Sequence, residues 1–105
     1  MKALFVCNQN QNRSKTAEEV FRGIFETKSA GLYGGNLLNE KTMAWADTIF
    51  VMDEQQISEI AKRFPKQYLQ KKIVSLEIPD MYTYGQPELI EQLKIKLHET
   101  ISQTA

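Results

Sequence analysis

At 105 residues, with 42% apolar and 25% charged side chains, the chain has the balance of one ordinary globular domain. Thirteen basic and 13 acidic groups give a formal net charge of zero, which excludes a global drive toward nucleic acid or acidic membranes and leaves room for a local anion site. The single cysteine rules out an intramolecular disulfide, and one Cys with one His leaves no zinc-ligand cluster. The run from Met1 to Cys7 is too short in apolar residues for a signal peptide. No stretch approaches the roughly 18 apolar residues of a membrane span. The expectation is a cytoplasmic protein, one domain over residues 1–105, with no metal, no cofactor and no nucleic-acid or membrane partner.

Lys2 to Cys7 reads as a first strand, because Ala3, Leu4, Phe5 and Val6 form a continuous apolar run suited to burial on both faces. Asn8 to Asn12 is wholly polar and reads as a loop. A helix follows, with Ala17, Val20, Phe21, Ile24 and Phe25 on one face. Ser29 to Tyr33 is a short second strand, broken by Gly34, Gly35 and Asn36. Asn39 is placed to cap a short helix through Ala46, with Met43 and Trp45 in or near the core. Thr48 to Met52 is a third, buried strand. The next helix carries Ile57, Ile60, Ala61 and Phe64 on one face, with Pro65 just past its end. Ile73 to Leu76 is a weaker fourth strand, and Ile78 to Gln86 a loop. Pro87 suits the first turn of a last helix with a buried stripe of Leu89, Ile90, Leu93, Leu97 and Ile101. Lys62, Arg63, Lys66, Lys71 and Lys72 read as a solvated face.

Strands alternating with helices predict an α/β fold: a four-stranded parallel sheet with helices on both faces. In such sheets ligands sit at the carboxyl ends of the strands. The Cys7–Asn12 loop lies there, between the first strand and the first helix. A helix N-terminus has unsatisfied amides and a partial positive charge, so a loop curling into it can point several N–H groups at one anion. A thiolate at Cys7 is stabilised in that place and becomes a competent nucleophile. Arg13 adds a permanent charge whose planar fork matches two phosphoryl oxygens. Ser14 can hydrogen-bond the thiolate. Cysteine, five residues, arginine and serine is a weak pattern alone, since free cysteines are often small buried hydrophobes. The strand–loop–helix context is what raises it.

Cleaving a phosphate ester also requires a proton for the leaving oxygen. Asp80, in the Pro-flanked loop after the fourth strand, is at the same end of the sheet. Tyr82 and Tyr84 follow it as walls of a cleft for an aryl group. His98 lies on the polar side of the last helix and reads as solvated.

At these residues the chain resembles a short, divergent low-molecular-weight protein tyrosine phosphatase. The stretch Val6 to Ser14 is similar to that family's signature loop. Ala17-Glu18 with Val20-Phe21, Ser29-Ala30-Gly31, Ala46-Asp47, Val51-Met52-Asp53 and Ile78-Pro79-Asp80 resemble its later segments in order. The resemblance implies a two-step, metal-free reaction on a phosphorylated protein or small phosphate monoester. Cys7 would attack phosphorus. Asn8, Gln9, Asn10, Gln11, Asn12, Arg13 and Ser14 would bind the phosphoryl group, with Asn10 shaping the loop. Asp80 would protonate the leaving phenolate. The chain departs from the family pattern at Asn12, where a second cysteine is common, and at Gln9, where glycine is usual. Lys15 and Met81 each replace a proline. Two other readings stand beside this one. A cysteine phosphocarrier of a sugar phosphotransferase system is similar in size and also places a cysteine after its first strand. A non-catalytic phosphate-binding module would fit the Asn/Gln-rich loop.

Overall fold

The computed structural model describes residues 1–104. Its strands are β1 (Lys2–Cys7), β2 (Glu26–Gly31), β3 (Thr48–Val51) and β4 (Lys72–Ser75). They pair in parallel in the order β2-β1-β3-β4. The register sets Cys7 opposite Gly31 on one side of β1, and Val6 opposite Val51 on the other. The helices are α1 (Arg13–Val20), α2 (Glu40–Trp45), α3 (Glu54–Arg63), α4 (Pro65–Gln70) and α5 (Pro87–Thr104).

The alternation of a pleated strand divides β1 between two cores. Ala3, Phe5 and Cys7 face α1 and α5, where they meet Ala17, Phe21, Phe50, Leu89, Leu93 and Leu97. Leu4 and Val6 face the other way, toward Met43 of α2 and Ile60 of α3. Phe5 stacks on Phe21 at 5.5 Å and on Phe50 at 5.3 Å. The expected sheet with both faces covered is therefore present. The chain leaves β1 first toward β2 and then returns to β3 on the opposite side. That reversal opens a crevice at the carboxyl end of β1, the usual ligand position in such sheets.

Local details differ from expectation where tertiary packing overrides periodicity. The first helix stops at Val20 and the chain turns through Phe21 to Phe25, where the Phe25 amide bonds the Phe21 carbonyl at 2.9 Å. Ile24 is left exposed. The turn lets β2 start at Glu26, earlier than Ser29, and pair along the whole of β1. Pro65 does not merely follow a helix: it opens α4, since its fixed φ and missing N–H suit a first turn. Among the described side chains of α5, only Leu89, Leu93 and Leu97 are buried, and Ile101 is exposed. Asn39 caps α2 as expected, accepting from the Thr42 amide at 2.9 Å. Of the basic cluster, Lys71 donates to the Ala44 and Ala46 carbonyls, and Arg63 to the Leu32 carbonyl.

Candidate active site

The loop from Asn8 to Asn12 is fixed from behind. The Cys7 and Asn8 carbonyls accept from the Leu32 and Tyr33 amides at 3.0 and 2.8 Å. Asn10 adopts a positive φ of 53°, a conformation that asparagine tolerates better than most residues, and its side chain is buried. Its Nδ2 donates to Ser14 Oγ at 2.8 Å, and its Oδ1 accepts from the Asn36 amide at 3.1 Å. Gln9, at the position where the family usually has glycine, has no positive φ. Its side chain lies instead against Gly34, where a Cβ would collide with Gln9 Oε1. A Cβ on Gly35, itself at φ 67°, would come within 2.7 Å of Asn10 Cβ. The Gly34–Gly35 pair thus lets the loop after β2 close over the loop after β1.

Among the described residues, none of the amides from Gln9 to Asn12 donates to a backbone carbonyl. Such amides without an intrahelical partner are characteristic of a helix N-terminal turn, a place that suits an anion. Cys7 Sγ, almost fully buried, is 3.0 Å from Ser14 Oγ. The serine hydroxyl is thus shared between Asn10 and the sulfur. Arg13 is only 3% exposed. Its Nη1 donates to the Ile78 carbonyl at 2.8 Å, and carboxylates of Asp53 and Asp80 lie 3.7 and 3.8 Å from its guanidinium nitrogens. A buried guanidinium needs such partners to offset the loss of water. They also fix the plane in which it meets a ligand.

A cavity of about 100 Å³ lies above Cys7, lined by Asn8, Gln9, Gln11, Asn12, Arg13 and Asp80. The structure therefore gathers Cys7, Arg13 and Asp80 around one small space, although Asp80 is 67 positions beyond Arg13 in the chain. Four residues expected at the site lie outside the cavity lining. The side chains of Asn10 and Ser14 bond each other at 2.8 Å, and Asn10 reaches on to the Asn36 amide. Tyr82 packs against the core beside α5, outside the cavity lining. Tyr84 also lies outside it, exposed at the surface, where Glu19 of α1 beside its hydroxyl raises the phenol pKa. The backbone carries Tyr84 away, since the Gly85 amide donates to the buried Thr16 hydroxyl at 3.0 Å and pins the loop to α1.

Several supporting residues escaped the sequence reading. Asp53 caps α3 by accepting from the Gln56 amide and also faces Arg13. Its position just after β3 at the sheet's ligand end was a usable signal. Gln56 is buried, accepts from the Met52 amide at 2.6 Å and donates to Asn8 Oδ1 at 3.1 Å. No sequence pattern marks it. Tyr33 stands exposed, with its amide bonded to the carbonyl of Asn8, which lines the cavity.

No family model matches the chain, and no curated protein matches its sequence. Solved structures do match. The arginine phosphatase YwlE of Geobacillus stearothermophilus aligns with a TM-score of 0.72 at 21% identity, covering 98% of this chain and 94% of that one. The tyrosine phosphatase AmsI of Erwinia amylovora gives 0.79 at 18%, covering 97% and 91%. The tyrosine phosphatase Wzb of Escherichia coli K30, solved with phosphate, gives 0.77 at 17%, covering 99% and 98%. The low-molecular-weight protein tyrosine phosphatase of T. tengcongensis gives a TM-score of 0.76 at 21% identity, covering 98% and 99%. The chain has the fold of the low-molecular-weight protein tyrosine phosphatases.

Proposed function

We propose that the protein is a cysteine-dependent phosphatase that hydrolyses a phosphate monoester, phosphotyrosine or another aryl phosphate, through a phosphocysteine. The observation that carries the reading is the convergence of Cys7, Arg13 and Asp80 on one small cavity beneath free loop amides. In this mechanism Cys7 Sγ attacks phosphorus as the ester P–O bond breaks. Arg13 and the loop amides hold the equatorial oxygens, whose charge spreads in the transition state. Asp80 gives its proton to the leaving oxygen. It then takes one from a water that attacks the phosphocysteine, which releases inorganic phosphate and the thiolate. Ser14, 3.0 Å from the sulfur, stabilises that thiolate. Arg13 beside Asp80 speaks against a phosphocarrier, which must preserve its phosphocysteine.

A second reading of the substrate is favoured by the cavity lining. Asn8, Gln9, Gln11 and Asn12 offer polar groups and no aromatic slot, which suits a phosphorylated guanidinium as well as a phenol. The arginine phosphatase among the structural neighbours is consistent with that alternative. The test is turnover of p-nitrophenyl phosphate, a phosphotyrosine peptide and a phosphoarginine peptide without added metal. Wild type should release phosphate and Cys7→Ser should release none. Activity that survives Cys7→Ser, or no turnover on any of the three, would sink the assignment. The ratio of the two peptide rates decides between the substrates.

A further inference from the structure

Gln56, near the start of α3, is a buried side chain whose amide joins two segments. Its Oε1 accepts from the Met52 amide at 2.6 Å, just past β3, and its Nε2 donates to Asn8 Oδ1 at 3.1 Å. A backbone N–H can only donate, so the first bond fixes which end of the Gln56 amide is oxygen. The other end is then an NH2 group and needs an acceptor. Asn8 can meet it only with Oδ1, because the reversed amide would set one NH2 group against another. The orientation of the Asn8 amide therefore follows from the Met52 N–H through one relay.

What remains is the donor end of Asn8. Asn8 lines the cavity above Cys7 and also a neighbouring concavity shared with Leu32, Tyr33, Gln55 and Gln56. Its oxygen is turned to Gln56, which lines the second space and not the first. Among the described residues no buried side-chain nitrogen or oxygen lacks a partner, so Asn8 Nδ2, whose amide is bonded only through Oδ1, reaches accessible space. We infer that Gln56 is a positioning residue that holds the Asn8 amide with its NH2 end toward the cavity. The inference rests on the proposed phosphatase site. An amide turned this way offers a phosphoryl dianion a donor. Turned the other way, it would offer a carbonyl oxygen and repel the anion. A relay set before the anion arrives also spares the reorganisation that a freely turning amide would need.

The test follows inorganic phosphate by proton–nitrogen NMR and reads both the Kd and the side-chain NH2 signal of Asn8. In wild type that signal should shift as phosphate saturates the site. In Gln56→Glu both carboxylate oxygens accept, so Asn8 must turn its NH2 group to Glu and its oxygen to the cavity. Phosphate should then bind about 10-fold more weakly. The uncharged Gln56→Met frees the amide to turn and should cost about 3-fold. In an Asn8→Ala background both changes should lose most of their effect, since no amide is left to orient. That background separates orientation from the charge of the new carboxylate, and Gln56→Met carries the comparison if the carboxylate unfolds the chain. Unchanged affinity in the Gln56 variants, an effect undiminished in Asn8→Ala, a silent Asn8 signal or no phosphate binding by wild type would each overturn the inference. Phosphate binding with the expected coupling but no turnover of any phosphate ester would sustain it and sink the phosphatase reading instead.

Discussion

At the scale of single residues, the site is a set of shared partners. Ser14 links the sulfur of Cys7 to Asn10, and Asn10 links the loop after β1 to the one after β2. Replacing Asn10 by alanine leaves Ser14 and the Asn36 amide short of a partner and places an alanine in left-handed backbone. A loss of about 1–3 kcal/mol in unfolding free energy is expected from the hydrogen bonds. Asn10→Gly should be the milder change in denaturant titration, since it removes the same bonds without the backbone strain. Asp80→Asn keeps the shape but removes the proton. For aryl phosphates with poor leaving groups, kcat should fall by about 10²–10⁴. Phenols that leave without a proton should be affected far less, and the acid-dependent limb of the pH–rate profile should flatten. A uniform effect across leaving groups would remove Asp80 from the proton step.

At the scale of elements, the loop carrying Asp80 is held at both ends. The Ile78 amide donates to the Met52 carbonyl at 2.8 Å, its carbonyl accepts from Arg13, and Gly85 is bound to Thr16. Thr16→Val removes only that last anchor. It is expected to slow poor leaving groups by about 10-fold or more, because small misplacements of a catalytic group are costly. Good leaving groups should be spared, and Thr16→Ser should restore the rate. Tyr84, exposed on that loop, has Glu19 of α1 beside its hydroxyl. The carboxylate holds the phenol's folded-state pKa above the ordinary 10.0. Ultraviolet titration of the phenols should show one group ionising late in wild type, and that late step should vanish in Tyr84→Phe.

At the scale of the whole molecule, the Cys7–Arg13 loop rests on the end of a strand whose other residues are core. Phe5, two positions before Cys7, stacks between Phe21 and Phe50 with no exposure. Phe5→Ala should cost about 3–5 kcal/mol, measured as a drop in the denaturant midpoint. That is a large share of the ~5–15 kcal/mol typical of a natural domain. The same change should weaken phosphate binding, because β1 sets the height of Cys7 in the loop.

The apolar runs Ala3–Val6 and Thr48–Met52 announced buried strands, and the polar Asn8–Asn12 between strand and helix announced the loop, because hydrophobic periodicity is local. Cys7 and Arg13 were legible for the same reason: they are six positions apart and need only one turn of chain to meet. Asp80 was placed at the correct end of the sheet from the strand–helix alternation. Its approach to Arg13 depended on the return of β4 beside β3. The roles of Asp53, Gln56 and Thr16 were invisible, since each acts through a partner that only the folded chain brings near. The tyrosines show the limit most clearly. Their proximity to Asp80 in sequence suggested a cleft wall, but the hydrogen bond from the Gly85 amide to Thr16 holds the backbone beside Tyr84 against α1. Sequence alone determined the Cys7–Arg13 loop and the sheet beneath it. Tertiary structure decided what lines the cavity above Cys7, because side-chain direction there is set by hydrogen bonds between segments far apart in the chain.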